Sequence, residues 1–274
     1  MRFTKMHGAG NDFVVLDCRA TPHPSTEVLR TMADRHLGIG CDQLLIIDQP
    51  RRAGSVAAYG IRNADGSPAG QCGNGARCVA AWLQRDDPDI GTAFSIDSPA
   101  GTHAVEQLHG QWTIDMGAPR FAPADVPMGG TQAEADHYAI ALDDGIVSFG
   151  AVSMGNPHAV IEVEDVARAD VAWIGPRLQE CGLFPESVNV GFAQVLAPDR
   201  IALRVHERGA GETLACGSGA CAAVAVLVRQ GRLDGALPVS VELPGGVLRI
   251  GYDAATGRIR MAGPAVFVFE GEWW

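Results

Sequence analysis

The chain has 274 residues, 47% of them hydrophobic, and a formal net charge of −11. That length holds one large domain or two of ordinary size. The acidic balance, with no basic run longer than Arg51-Arg52, speaks against a nucleic-acid footprint. No apolar stretch approaches the ~18 residues of a membrane span. Met1-Arg-Phe-Thr-Lys-Met-His-Gly8 has no apolar signal core. A cytoplasmic protein with no membrane partner is expected.

Lys5 falls on a first strand, and Val14–Leu16 reads as the next. Ser25 is placed to cap a helix over 26–36 with Val28, Leu29 and Met32 on one face. Strands follow at Gln43–Ile47 and Ala57–Ile61, then a helix after Cys72 and a strand at Phe94–Ile96. Pro119, Pro123 and Pro127 mark a linker near 117–130. Beyond it, strands are expected at Ala159–Val163, Val190–Val195, Ile201–Val205 and Val239–Leu243. Between the last two lies a helix over 217–230 with no charge before Arg229. A helix apolar all round is buried on all sides, which suits a helix wrapped by a curved sheet, once in each half.

The seven cysteines read as thiols rather than a disulfide framework. With no CxxC and no HExxH, a metal is not expected. Lys5 is the only lysine. A pyridoxal phosphate enzyme needs a lysine for its Schiff base, and a strand lysine is poorly placed for it, so any amino-acid chemistry is expected to run without a cofactor.

A faint repeat organises the chain at an offset near 144. Cys72-Gly-Asn-Gly-Ala-Arg-Cys78 parallels Cys216-Gly-Ser-Gly-Ala-Cys221, and each runs into an apolar stretch. Gly10-Asn-Asp-Phe-Val-Val15 parallels Gly155-Asn-Pro-His-Ala-Val160, and Asn63 falls opposite Glu207. Three matches in one order indicate two related halves.

The repeated segments carry the chemistry. A cysteine at a helix N-terminus meets unsatisfied N–H groups and the positive end of the helix dipole, and both favour thiolate. The glycines open the backbone amides to a carboxylate. Two such sulfurs suit inversion of a stereocentre beside a carboxylate: one thiolate removes the α-proton, and the opposite thiol returns another. Cys18, Cys41, Cys78, Cys181 and Cys221 read as small buried hydrophobes.

At these residues the sequence resembles the diaminopimelate epimerases. The resemblance spans nearly the whole chain, through Lys5-Met-His-Gly-Ala-Gly-Asn-Asp-Phe13, Gly38-Ile-Gly-Cys-Asp-Gln43, Asn63-Ala-Asp-Gly66, Cys72-Gly-Asn-Gly-Ala-Arg77, Gly155-Asn-Pro-His158, Asn189-Val-Gly191, Glu207-Arg-Gly-Ala-Gly-Glu-Thr213 and Ala215-Cys-Gly-Ser-Gly219. It implies an α/β (α+β) fold of two similar pseudo-symmetric domains, each a barrel-like mixed sheet around a central helix. The tail returns to the first, giving 1–117 plus 263–274 and 118–262. It implies interconversion of LL- and meso-2,6-diaminopimelate in lysine and peptidoglycan precursor synthesis, by a homodimer. By the same resemblance Cys72 and Cys216 are the acid–base pair, with Cys72 facing the LL substrate. Gly73, Asn74, Gly217 and Ser218 hold the α-carboxylate. Asn11, Gln43, Asn63, Asn156, Asn189, Glu207 and Arg208 line the rest, and His158 and Glu207 tune the thiols. Phe269 takes the place of a tyrosine that relatives often use in a dimer contact, and Cys41 replaces a more usual apolar residue.

Other readings stay open at several of these positions. Asn11, Asn63 and Asn156 could serve as turn formers, His158 as a polar strand residue, and Glu207 with Arg208 as an exposed ion pair. The rival activities are a proline-racemase-like cofactor-free epimerase, a PhzF-like isomerase without the cysteine pair, and a binding protein that leaves the α-proton in place.

Overall fold

The computed structural model describes residues 1–130, 133–142 and 145–274. The chain divides into two compact units: Met1–Asp115 with Ala262–Trp274, and Met116–Met261.

The first unit contains β1 (Arg2–Gly8), β2 (Asn11–Asp17), α1 (Thr26–Ala33), β3 (Gln43–Asp48), β4 (Ser55–Asn63), β5 (Pro68–Ala69), α2 (Gly73–Asp86), β6 (Ala93–Ser98), β7 (Gly101–Leu108) and β8 (Gln111–Gly117). β1 and β2 are antiparallel, β2 and β3 parallel, and β3 and β4 antiparallel. β4 then pairs antiparallel with β5 and parallel with β6, across the helix α2. β6, β7 and β8 continue as an antiparallel meander.

The second unit repeats that plan. It contains β9 (Tyr138–Leu142), β10 (Gly145–Ser153), β11 (Pro157–Glu162), α3 (Val171–Glu180), β12 (Asn189–Ala197), β13 (Arg200–Glu207), β14 (Gly211–Thr213), α4 (Gly217–Arg229), β15 (Val239–Leu243), β16 (Gly246–Asp253) and β17 (Arg258–Gly263). β10 and β11 are antiparallel, β11 and β12 parallel, β12 and β13 antiparallel. β13 pairs antiparallel with β14 and parallel with β15 across α4. The strand order from β1 to β7 is therefore repeated from β10 to β16. The last strand, β18 (Val266–Glu272), pairs antiparallel with β1 in the first unit, as β9 does with β10 in the second. Beyond β18, the Met1 amine donates to the Trp273 carbonyl at 2.6 Å and Trp273 N to the Met1 carbonyl at 2.8 Å.

Each long helix is the core of its unit. α2 packs on β1, β2 and β3, and α4 on β10, β11, β12, β13 and β16. Every residue of α4 from Gly219 to Leu227 is buried, as its uncharged sequence predicts. Removing each of Val224, Val226 and Leu227 from water contributes about 1.5–3 kcal/mol.

The expected strands form, mostly with longer ends. The helix capped by Ser25 is shorter than the pattern predicts. Ser25 Oγ accepts from Val28 N at 3.3 Å, but the helix ends at Ala33. From there the amides of Ile39 and Gly40 turn back onto the Met32 carbonyl, which stops further winding. The proline-marked segment near 117–130 is not a bare linker: Val126 and Met128 are buried in the core of the second unit beside Phe149 and Phe184. Lys5 is buried on β1, where its ammonium meets the Asp12 carboxylate and the Gly40 carbonyl.

Candidate active site

Strand register gathers the polar residues of the first unit. Phe13 lies opposite Gln43, and Gln43 opposite Asn63. Asn11, which opens β2, therefore sits at the same end of three adjacent strands as Gln43 and Asn63. Cys72 follows β5 and caps α2, with extended backbone (φ −148°, ψ 105°) and its sulfur accepting from Gly75 N at 3.3 Å. That is the position a serine or aspartate cap would take. Gly73 and Asn74 are buried in the first turn.

The amides are tied to one another. Asn11 Oδ1 accepts from the Cys72 thiol at 3.6 Å and from Asn74 Nδ2 at 3.5 Å, while Asn11 Nδ2 donates to Asp42 Oδ2 at 2.8 Å. Gln43 Nε2 donates to Asn63 Oδ1 at 3.0 Å, and Asn63 Nδ2 to Ser67 Oγ at 3.1 Å. Asn63 also closes its turn through the backbone with Gly66 and Ser67, so the turn-former and pocket readings hold together. Gln43 Oε1 is buried with no hydrogen-bond partner among the described residues, an acceptor of the kind that calls for a ligand or a water.

The second unit builds the same constellation from different chemistry. His158 lies opposite Asn189 across a parallel pair, and Val190 opposite His206, which brings Glu207 to the same end. Cys216 caps α4 with φ −119° and ψ 109°, its sulfur accepting from Gly219 N at 3.4 Å. Its own S–H donates to Glu207 Oε2 at 3.1 Å, and Thr213 Oγ1 donates to the other carboxylate oxygen at 2.5 Å. Gly217 opens α4 and is buried. Asn156 Nδ2 donates to Ser218 Oγ at 3.3 Å, and its Oδ1 meets His158 Nε2 at 3.0 Å. Asn189 Oδ1 accepts from Arg208 N at 2.9 Å. The Arg208 side chain is exposed and donates to the Glu186 carbonyl at 2.7 Å. Glu207 thus faces Cys216 and Thr213, and these contacts are not those of an exposed pair with Arg208.

A helix N-terminus lowers a thiol pKa, but at Cys216 that effect is outweighed. Burial pushes the Cys216 thiol well up, and the charge and hydrogen bond of Glu207 push the same way; the Ser218 and Gly219 contacts oppose them without prevailing. A thiolate there would be both dehydrated and held against a carboxylate. Glu207→Gln removes that charge. The pH midpoint for alkylation of Cys216 by iodoacetamide is therefore expected to fall by roughly one unit or more, read by peptide mass spectrometry. An unmoved midpoint would mean the carboxylate does not act on this sulfur.

Burial, then the positive charge of Arg208, drives His158 down to about 3, so it is neutral at neutral pH. Its contact is with Asn156. Cys41 and Cys78 are buried and pushed up to about 12, chiefly by burial, which fits their reading as small core residues. Phe269 is 48% exposed on β18, its ring edge-on to Phe3 with centroids 5.9 Å apart. Sequence reasoning missed Thr213, which locks the Glu207 carboxylate, and Asp42 and Arg77, which contact Asn11 and Asn74. All three lie inside motifs already singled out, beside residues given roles.

The fold is an α/β unit built around a central helix and repeated once. It is shared over 100% of this chain and 92% of the other, with a TM-score of 0.73 at 14% identity, by a probable proline racemase from Agrobacterium radiobacter K84; that likeness concerns the fold alone. The sequence model of the diaminopimelate epimerases matches residues 3–122 and 150–268. The chain is 58% identical over 275 residues to a diaminopimelate epimerase of Xanthomonas axonopodis pv. citri (strain 306), covering 100% of this chain and 96% of that one. It is also 58% identical over 271 residues to an O-ureido-serine racemase of Streptomyces lavendulae, covering 98% and 94%. The chain belongs to the diaminopimelate epimerase family.

Proposed function

We propose that this protein interconverts LL- and meso-2,6-diaminopimelate without a cofactor, in the cytoplasm, serving lysine and peptidoglycan precursor synthesis. The α-proton leaves to one cysteine sulfur, and a new proton arrives from the other on the opposite face. The observation that carries this reading is one construction made twice: a cysteine caps the central helix, and its sulfur sits on the amide three residues on. The first-turn amides around Gly73, Asn74, Gly217 and Ser218 take the α-carboxylate and the negative charge that develops on it. When Cys216 serves as base, Glu207 takes its proton across the 3.1 Å contact. His158 supports that half through Asn156. Asn11, Gln43, Asn63, Asn156 and Asn189 receive the substrate's ammonium groups, a role to which the unpartnered Gln43 Oε1 is suited. Incubation with LL-diaminopimelate and separation of stereoisomers tests the reading; absence of the meso form would refute it.

A second reading is racemisation of O-ureidoserine, favoured by the Streptomyces relative, which is as similar as the epimerase. The substrates differ at the far end, which is an amino acid in one and a neutral urea in the other. Arg208 is proposed to bind the distal carboxylate. Arg208→Ala should therefore cost diaminopimelate turnover about 1.5–3 kcal/mol in kcat/KM and leave O-ureidoserine, if accepted, nearly unchanged. Equal losses on both substrates would take Arg208 off the distal carboxylate.

A homodimer is proposed through β18, where Val266, Val268 and Phe269 are exposed on a strand whose described pairing is to β1. Phe269→Asp should lower the mass measured by light scattering to that of one chain. An unchanged mass would place the dimer contact elsewhere.

A further inference from the structure

We propose that Asp42 and Arg77 are positioning residues: they fix the polarity of the Asn11–Asn74 amide pair, and so hold an acceptor oxygen against the Cys72 sulfur. The two ends of a carboxamide are alike in shape and opposite in hydrogen bonding. An unanchored asparagine beside a thiol can present either. Here both ends of the pair are anchored by groups whose polarity cannot reverse. The Asp42 carboxylate only accepts, and it takes Asn11 Nδ2 at 2.8 Å. The Arg77 guanidinium only donates, and its Nη2 reaches Asn74 Oδ1 at 2.8 Å. Between them Asn74 Nδ2 faces Asn11 Oδ1 at 3.5 Å, and the same oxygen accepts from the Cys72 thiol at 3.6 Å.

The anchors are themselves held. Asp42 accepts from Asp12 N at 3.1 Å and from Arg35 at 2.7 Å, and Asp12 in turn receives Lys5 and Arg35. Arg77 is fully buried on α2 and donates through Nε to the Pro264 carbonyl at 3.4 Å. Asn74 is 1% exposed, so reversing its amide would leave buried groups facing like partners.

The second unit has no need of this device. Arg77 aligns with Cys221 and Asn74 with Ser218. A serine hydroxyl both donates and accepts by rotation, and the acceptor at Cys216 is the Glu207 carboxylate, which cannot turn round. Each sulfur faces an oxygen, fixed in one half by charge and in the other by anchored amides. The consequence for catalysis rests on Cys72 being an acid–base group. An acceptor there favours the thiol, and an amino group in its place would favour the thiolate.

The test measures the pH dependence of iodoacetamide alkylation at Cys72 and Cys216, resolved by peptide mass spectrometry, with circular dichroism to establish folding. The double variant Asp42→Ala/Arg77→Met removes one charge of each sign and so leaves the net charge unchanged. The Cys72 midpoint should fall by about one pH unit while the Cys216 midpoint stays in place. Asp42→Glu/Arg77→Lys, which keeps the acceptor and the donor, should restore the Cys72 value. A folded double variant with a wild-type Cys72 midpoint, or one in which both cysteines shift alike, would overturn the proposal. Should the double variant not fold, neutron diffraction of the deuterated wild type decides the same point, and an Asn11 amino group on the Cys72 side overturns it. Failure of the wild type to epimerise diaminopimelate would refute the functional reading and leave the alkylation result standing.

Discussion

On the proposed two-cysteine mechanism, Cys72→Ala and Cys216→Ala should each abolish inversion, with kcat reduced by at least about 10³-fold, since each would remove the acid or base of one face. In D₂O the wild-type product should carry one solvent deuterium at the inverted carbon early in the reaction, while the remaining substrate stays protonated. A single base serving both faces would return some of the original proton to the product. The single variants need not be equivalent. Loss of Cys216 leaves the Glu207 carboxylate in place, a base that should sustain residual α-proton exchange in Cys216→Ala. Isotope content measured with stereochemistry reads both effects, and substantial inversion by either variant would show that its cysteine is dispensable.

Gly75→Ala and Gly219→Ala should each lower kcat by about 10²-fold while the protein stays folded, the scale expected when a reacting group is misplaced by about an ångström. A Cβ on Gly219 would stand 3.2 Å from Cys216 Cβ and Sγ and 3.2 Å from Val205 Cγ2. On Gly75 it would meet Leu45 Cδ2 at 2.9 Å and Cys72 Sγ at 3.5 Å. On Gly219 the new methyl is tight against both the Cys216 sulfur and Val205, and on Gly75 it is tight against Leu45 while touching the Cys72 sulfur. Both glycines also supply the N–H that the sulfur accepts. Melting curves together with kcat separate the outcomes: wild-type kcat in a folded variant would mean the sulfur has room to spare.

The cysteine-capped helices were legible because their signal is local. A cap residue, two glycines and an apolar run lie within a dozen positions, and the run after Cys216 carries no charge until Arg229. The central strands Gln43–Asp48 and Asn189–Ala197 were legible for the same reason, being nearly continuous apolar stretches. The outer strands β7, β16 and β17 mix polar and apolar residues and β18 is largely exposed, so they give little contrast. α3 has Pro176 inside it, which argues against a helix until packing overrides it. In the site, residue types could be read but not their partners. That Glu207 would outweigh the helix terminus at Cys216 depends on a 3.1 Å contact and on burial. That Asp42 and Arg77 bracket two asparagines depends on where β2, β3 and α2 converge.

The return of β18 to β1 sets an order of assembly. The unit bearing Cys216 is one continuous run of chain, Met116–Met261, whereas the unit bearing Cys72 needs Ala262–Trp274 to be complete. On the ribosome, the half begun first is therefore the half finished last. Throughout translation of the second unit, one edge of β1 has no strand to pair with, and the Pro264 carbonyl that receives Arg77 has yet to be made. An open strand edge is a template for pairing with other chains. The nascent protein is most exposed to misassembly in that interval, and closure of β18 on β1 ends it.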